Sequence, residues 1–240
     1  MKKALIMMLL LSATGFASAS DIKFTDVITQ GEFEDFVKEF GTALVFNPMA
    51  PAETLGTFGF DVSVETVFTD ISDGKDYWKK LVDDNDPFSY LPVPRLHVQK
   101  GLPFGLDVGA MYTSVPGSNI KLWGVEAKYA LLEGSTLMPA ISVRASYSKL
   151  QGIDDINLDT QSLDVLASKG IFMFTPYAGA SVIRVNGSEN SALVELDDVN
   201  EVGYRGLAGI QISPLPLLVI NGEVSIGETT QIGLKIGLRF

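Results

Sequence analysis

The chain has 240 residues, with 18 basic and 29 acidic side chains and a formal net charge of −11, and a balance this acidic speaks against nucleic acid as a partner. It contains no cysteine, which removes disulfides and thiol chemistry together. Although 46% of the residues are hydrophobic, no run of about 18 apolar residues follows residue 19, so none of the later segments reads as a membrane-spanning helix.

Residues 1–19 have the three parts of a secretory signal peptide: Lys2 and Lys3, an apolar stretch over 4–11, and Ala17-Ser18-Ala19 at the cleavage position. The apolar stretch is shorter than the roughly 20 residues of a spanning helix, so an anchor is not expected. Cleavage before Ser20 removes two lysines and no acid, which takes the net charge from −11 to −13. Export leaves the periplasm, the outer membrane or the exterior as destinations, and a β domain of this size need not split.

Residues 20–50 read as an N-terminal helical segment. Phe33, Phe36, Val37, Phe40 and Leu44 recur at helical spacing among Glu32, Glu34, Asp35, Lys38 and Glu39. Gly41 is one candidate terminator; the other is Asn47-Pro48. Three roles are open to the segment: a cap across the periplasmic mouth of a barrel, a plug in its lumen, or a docking surface for a periplasmic partner.

From residue 54 to 240 the period becomes two, the signature of half-buried strands. Phe58, Phe60, Val62, Val64 and Phe68 lie opposite Gly59, Asp61, Ser63 and Glu65, and Leu96 and Val98 opposite Arg95, His97 and Gln99. Phe104 to Tyr112 and Trp123 to Leu131 continue the pattern, followed by segments around Ile141–Tyr147, Leu163–Ala167, Val202–Ile212 and Leu218–Ile226. Residues 175–185 are ambiguous in register and suggest a bulge. The count is ten strands; merging or splitting the seventh gives eight or twelve. Long connections near 70–92, 113–119, 150–160 and 186–200 alternate with short ones near 101–103, 132–137, 169–173 and 213–216, as expected of a barrel with both ends in the periplasm.

The fold expected is all-β: an antiparallel transmembrane β-barrel with a short N-terminal amphipathic helix. Two features favour it over a soluble lipocalin-like lipid carrier, which would bury its apolar face inside. Aromatic residues gather at strand ends, with Phe58, Phe60, Phe104, Tyr129 and Phe240 at one end and Phe68, Tyr112, Trp123 and Tyr147 at the other, as membrane interfaces favour. The opposite face carries Arg95, Asp107, Glu126, Lys128, Arg144, Asp164, Arg205, Glu223, Lys235 and Arg239. In a narrow lumen such mixed charges should pair with one another or be hydrated.

Chemistry-bearing motifs are few. His97 is the single histidine, and a general-base role beside an acid such as Glu65 or Asp107 is the one catalytic arrangement available. The acidic clusters Asp83, Asp84 and Asp86, Asp154 and Asp155, and Glu195, Asp197, Asp198 and Glu201 match no calcium-loop pattern and read as solvated loops. No cofactor or metal is expected. The first long connection, with Tyr77, Trp78, Phe88 and Tyr90, reads as a lid over the barrel mouth or a partner surface.

The last strand alternates without exception: Ile232, Leu234, Ile236, Leu238 and Phe240 on one side, Gln231, Gly233, Lys235, Gly237 and Arg239 on the other. A terminal amphipathic strand ending on Phe resembles that of Gram-negative outer-membrane β-barrel proteins. The resemblance implies outer-membrane residence among lipid and lipopolysaccharide, and recognition of this strand by the barrel assembly machinery. It carries no catalytic or binding residue to this chain. The functions that remain are a porin-like small passive pore, a route for a small hydrophobic molecule, a structural or adhesive cell-envelope protein, or an enzyme acting on envelope lipid or peptide through His97.

Overall fold

The computed structural model describes residues 28–72, 75–81, 89–114, 120–191 and 196–240. The expected signal peptide lies outside these residues, as do Asp83, Asp84, Asp86, Phe88 and Glu195. Alternating side chains point to opposite faces of a strand, and the chain uses this in ten strands: β1 (Phe60–Asp70), β2 (Tyr90–Leu102), β3 (Leu106–Ser114), β4 (Lys121–Leu132), β5 (Ala140–Gln151), β6 (Ile156–Ser168), β7 (Phe174–Glu189), β8 (Val199–Leu215), β9 (Leu218–Ile226) and β10 (Thr230–Arg239).

Each strand pairs with its neighbours in sequence, and β1 pairs with β10 to close an antiparallel barrel. The seam runs from Asp61↔Arg239 to Thr69↔Gln231. The terminal residue fastens it: the Phe60 amide donates to the Phe240 carbonyl at 2.7 Å, the Phe240 amide donates back at 2.9 Å, and the two rings stack at 6.1 Å. Closure leaves no open sheet edge.

The seventh strand corrects one expectation. β7 pairs without a shift on both sides, from Ile156↔Glu189 to Ser168↔Tyr177 and from Phe174↔Ile212 to Gly187↔Val199. The irregularities lie between Ala130 and Leu132 and between Ile212 and Leu215, near the short turns. β7 looks ambiguous in sequence because its inward face changes character along its length, from Tyr177 and Ser181 to Ile183 and Val185, all buried.

The apolar face points outward. Val64, Leu96, Val125, Leu163, Val182, Val224 and Leu234 are exposed along the strands. Phe58, Phe104, Tyr129 and Phe240 stand exposed at the short-turn end, where Phe60 is half-buried, and Phe68 and Tyr112 are exposed towards the long loops. Trp123 and Tyr147 partly cover each other there, with centroids 5.6 Å apart. Sequence reading passed over Phe172, fully exposed at the tip of the β6–β7 turn. An apolar exterior on a closed sheet is the architecture of a transmembrane β-barrel. It is the reverse of a soluble calyx.

Helix α1 (Gln30–Leu44) begins at a capping box in which the Thr29 side chain accepts from the Glu32 amide and the Glu32 side chain from the Thr29 amide. Such reciprocal caps satisfy donors that a first turn leaves free. The helix sits at the mouth where the long connections emerge, tied there by Lys38–Glu228 at 3.1 Å and by Gln30 to the main chain of Asp197. Of the cap, plug and docking surface left open for this segment, the helix covers the mouth opposite the one where β10 ends, and the chain that follows it enters the lumen. The helix's apolar face needs an apolar bed, and the lumen supplies the larger one at this end, from Val67, Val93, Met111, Leu122, Leu150 and Val185 among others.

Gly41 does not end the helix. A Cβ there would lie 2.2 Å from Val185 Cγ1, and one at Gly187 would lie 2.6 Å from Val37, so paired glycines let α1 press against β7. The first long connection folds onto the other side of α1 through helix α2 (Asp76–Leu81). Trp78 packs edge-on to Phe36 and Phe40 at 5.3 and 5.9 Å. The buried Glu39 carboxylate accepts from the Ser72 amide, the Tyr77 hydroxyl and the Trp78 indole at 2.7, 2.8 and 2.6 Å. Gly41→Ala should destabilise the docked helix by about 1–3 kcal/mol through overpacking. Protease accessibility near Lys38 is expected to rise in that variant and to return towards normal in Gly41→Ala/Val185→Ala.

Candidate functional site

After α1 the chain turns into the barrel. Residues 40–52 carry no charge, and all of 39–52 are buried. Residues 45–55 form an irregular strap that runs the length of the lumen. At the long-loop end Gln231 donates to the Thr42 carbonyl at 3.0 Å and Ser148 to the Leu44 carbonyl at 2.8 Å. Halfway down, Arg95 donates to the Val45 carbonyl at 3.0 Å and Arg144 to the Phe46 carbonyl at 2.8 Å. Towards the short turns Lys128 donates to the Glu53 carbonyl at 2.9 Å, and the Leu55 amide donates to Asp107 at 3.1 Å.

The strap bends at Met49, whose φ of 45° is left-handed, between Pro48 and Pro51, which carry no amide donor to satisfy. The Met49 amide donates to Glu223 at 3.1 Å. Its side chain presses on Gly233 of β10, where an added Cβ would meet the Met49 sulfur at 2.4 Å. Phe46 is the central wedge. Its ring meets His97 edge-on at 4.8 Å and lies under the Arg144 and Arg95 guanidinium groups at 4.9 and 5.9 Å. Asn47 supplies the strap's side-chain polar contacts, donating to Gln231 at 2.9 Å and accepting from Arg95 at 3.0 Å.

Around the strap the lumen charges interlock. Arg144 pairs with Glu126 through its Nε and with Asp164 at 2.5 Å, and Arg205 approaches Asp164 at 3.6 Å. Lys128 pairs with Asp107 at 3.1 Å, and Asp61 takes Lys235 at 3.4 Å and Arg239 at 3.0 Å. Tyr177 donates to Glu223 at 3.0 Å. The ten charges read as lumenal thus all point inward; nine are buried, and Arg239 sits partly exposed at the short-turn rim.

His97 is fully buried, its Nδ1 2.7 Å from Glu65 and its Nε2 3.0 Å from Glu126. Glu65 was one of the two acids considered for it. Asp107, the other, serves Lys128 and the strap instead. The nearby Ser63 hydroxyl donates to the His97 carbonyl at 3.3 Å rather than to the ring. The imidazole is a rivet between two carboxylates in a filled interior.

Sequence reading allowed a lumenal plug from residues 20–50 but did not single out residues 45–55 as the part that enters, and it missed Asp61 and Gln231 as parts of the site. One signal was available: a linker on the surface of so acidic a chain would carry charge, and residues 40–52 carry none.

Fold and lumen together define a closed transmembrane barrel filled by its own chain, the architecture of outer-membrane β-barrels. No family model matches the chain, and no curated protein matches it in sequence. Among solved structures it is similar to the N-terminal β-barrel domain of Pseudomonas aeruginosa OprF (12% identity, TM-score 0.40, 77% of this chain and 99% of that one). It is also similar to the KdgM porin (9% identity, TM-score 0.38, 75% and 99%) and to the translocator domain of autotransporter NalP from Neisseria meningitidis (12% identity, TM-score 0.42, 88% and 94%). Likeness this distant transfers no activity.

Arg144→Met removes the partner of two buried carboxylates and should cost about 3–5 kcal/mol, whereas Ser148→Ala, which removes the hydrogen bonds to the Leu44 carbonyl and the Thr160 hydroxyl, should cost about 1–3 kcal/mol. Urea midpoints of folded migration on gels are expected to rank the variants in that order. At the mouth, the Lys80 ammonium at 2.7 Å and the Thr29 amide hold the Glu32 carboxyl at about 2, below its usual 4.5. Because the folded value is the lower one, this carboxylate's contribution is complete above 4.5 and is lost as pH falls through about 2. A carbon-13 titration of Glu32 should therefore show its midpoint near 2, returning towards 4.5 in Lys80→Met.

Proposed function

We propose that the chain is a non-enzymatic outer-membrane barrel, exported through a cleaved signal peptide, that serves as a structural or surface protein of the Gram-negative envelope. Its lumen becomes a narrow pore only when residues 42–55 leave it. The observation that carries this reading is the strap, hydrogen-bonded to the barrel wall from the long-loop mouth at Thr42 to the short-turn end at Leu55.

Burial of His97 between Glu65 and Glu126 supports the non-enzymatic reading, since a general base must reach the proton it takes. The two aromatic girdles are suited to contact with lipid and lipopolysaccharide, and the β10 end is the part that the assembly machinery would read. With the short turns and the barrel's C-terminal end in the periplasm, α1 faces the exterior, so a partner of its exposed face belongs on that side.

Single-channel recording in planar bilayers tests the proposal. The intact protein is expected to be silent, and a variant lacking residues 28–54 to give small, steady conductance. Steady conductance from the intact protein would overturn the closed reading, and so would a folded deletion variant that stays silent.

A further inference from the structure

We infer that the lumen is a binding site for peptide main chain, able to hold an uncharged, non-helical peptide other than its own strap. The inference rests on the proposal that the strap closes the barrel, and it adds what the closed site recognises. The wall addresses the strap almost wholly through its backbone. Carbonyls at positions 44, 45, 46 and 53 accept from Ser148, Arg95, Arg144 and Lys128. Amides at 49, 52 and 55 donate to Glu223, Ser168 and Asp107.

Backbone groups are common to every peptide, so a wall that reads them tolerates changes of side chain. The strap's side chains mostly supply volume, with Phe46, set against His97, Arg144 and Arg95, and Asn47 the exceptions. Through Asn47 the wall asks for one side-chain amide midway, bound by both Arg95 and Gln231.

The electrostatics favour an occupant of this kind. Arg95 is buried, and the oxygen acceptors it reaches, the Val45 carbonyl and the Asn47 side chain, both belong to the strap. In an emptied lumen water has to take their place. A second peptide bearing carbonyls and an amide at the same spacing restores the partners. A charge within the stretch that occupies the bore, residues 40–52 of the strap's own chain, would be added to a nearly neutral set and be rejected, whereas Glu53 is exposed at the short-turn end. The ligand class is therefore a short apolar peptide with an Asn or Gln near its middle.

The full-length protein can be made exchangeable by inserting a protease site between Thr57 and Phe58, which are exposed. After folding and nicking, the strap is held without a covalent link. Fluorescent peptides are then added in excess and their uptake is followed by anisotropy: residues 28–57; the same peptide with positions 45–55 shuffled around fixed Phe46, Asn47 and prolines; and the native peptide N-methylated at 49, 52 and 55. The shuffled peptide is expected to bind within about tenfold of the native one, and the N-methylated peptide at least about a hundredfold more weakly, as loss of three amide donors to buried acceptors requires. Native uptake without shuffled uptake would overturn the inference, as would equal binding of the N-methylated peptide or a strap that no peptide replaces. None of these outcomes bears on whether the intact barrel is closed, which conductance before nicking reports separately.

Discussion

Arg144 stands where the rest of the structure meets. One guanidinium pairs with Glu126 on β4 and Asp164 on β6, donates to the strap at Phe46 and lies over the Phe46 ring. A charge buried in a narrow barrel has no stable state without partners, and this one takes them from the two adjoining strands and from the chain threaded between them. Glu126 passes the constraint to His97, which passes it to Glu65 on β1. Asp164 passes it towards Arg205 on β8. The network circles the lumen, and the strap is part of its circuit rather than an object placed inside it.

Above this polar belt the interior changes solvent, in effect. Towards the long loops the inward positions become Val67, Val93, Leu122, Leu150 and Val185, which form a core of the ordinary globular kind with Phe33, Phe36 and Phe40 of α1. The barrel is therefore apolar on its outside through the middle of its height, and its larger apolar interior lies at the long-loop mouth, with a smaller cluster of Ala52, Ala140, Leu166, Tyr177 and Leu207 at the other end. That asymmetry decides where an amphipathic helix can dock, and it explains why glycine occupies Gly41 and Gly187, where helix and wall approach too closely for side chains. Glu39 then fastens the long first loop over the helix with three hydrogen bonds. The mouth is sealed by packing and the bore by polar pairing.

The strands were legible in sequence because the exterior obeys one rule throughout: every second residue faces lipid. Ten strands, the alternation of long and short connections and the inward set of charges all follow from it. β7 blurred because its inward face crosses from the polar belt to the apolar mouth, so both faces carry hydrophobic residues near Ile183 and Val185. Helix α1 was visible from its spacing but its location was not, since the bed that receives it is assembled from single residues on many strands. Gly41 misled because glycine signals a helix end and a close approach equally well. The strap escaped because its recognition runs through backbone groups, which leave no residue pattern of their own; only the missing charge over residues 40–52 hints at burial.

The two kinds of seal differ in what they ask of the chain. The helix fits its bed through side-chain shape, which a substitution such as Gly41→Ala disrupts directly. The strap is held largely through backbone groups that any peptide owns, with Phe46 and Asn47 as its side-chain anchors. Side-chain packing thus registers the chain at one mouth, and backbone hydrogen bonds hold it through the bore wherever that registration places it. The bend at Met49 shows the division of labour. Its left-handed backbone is tolerated because Glu223 takes its amide and Gly233 makes room for its side chain, so the wall accommodates an irregular path instead of imposing a regular one. A lumen built this way asks little of the sequence that closes it beyond an uncharged path anchored at Phe46 and Asn47.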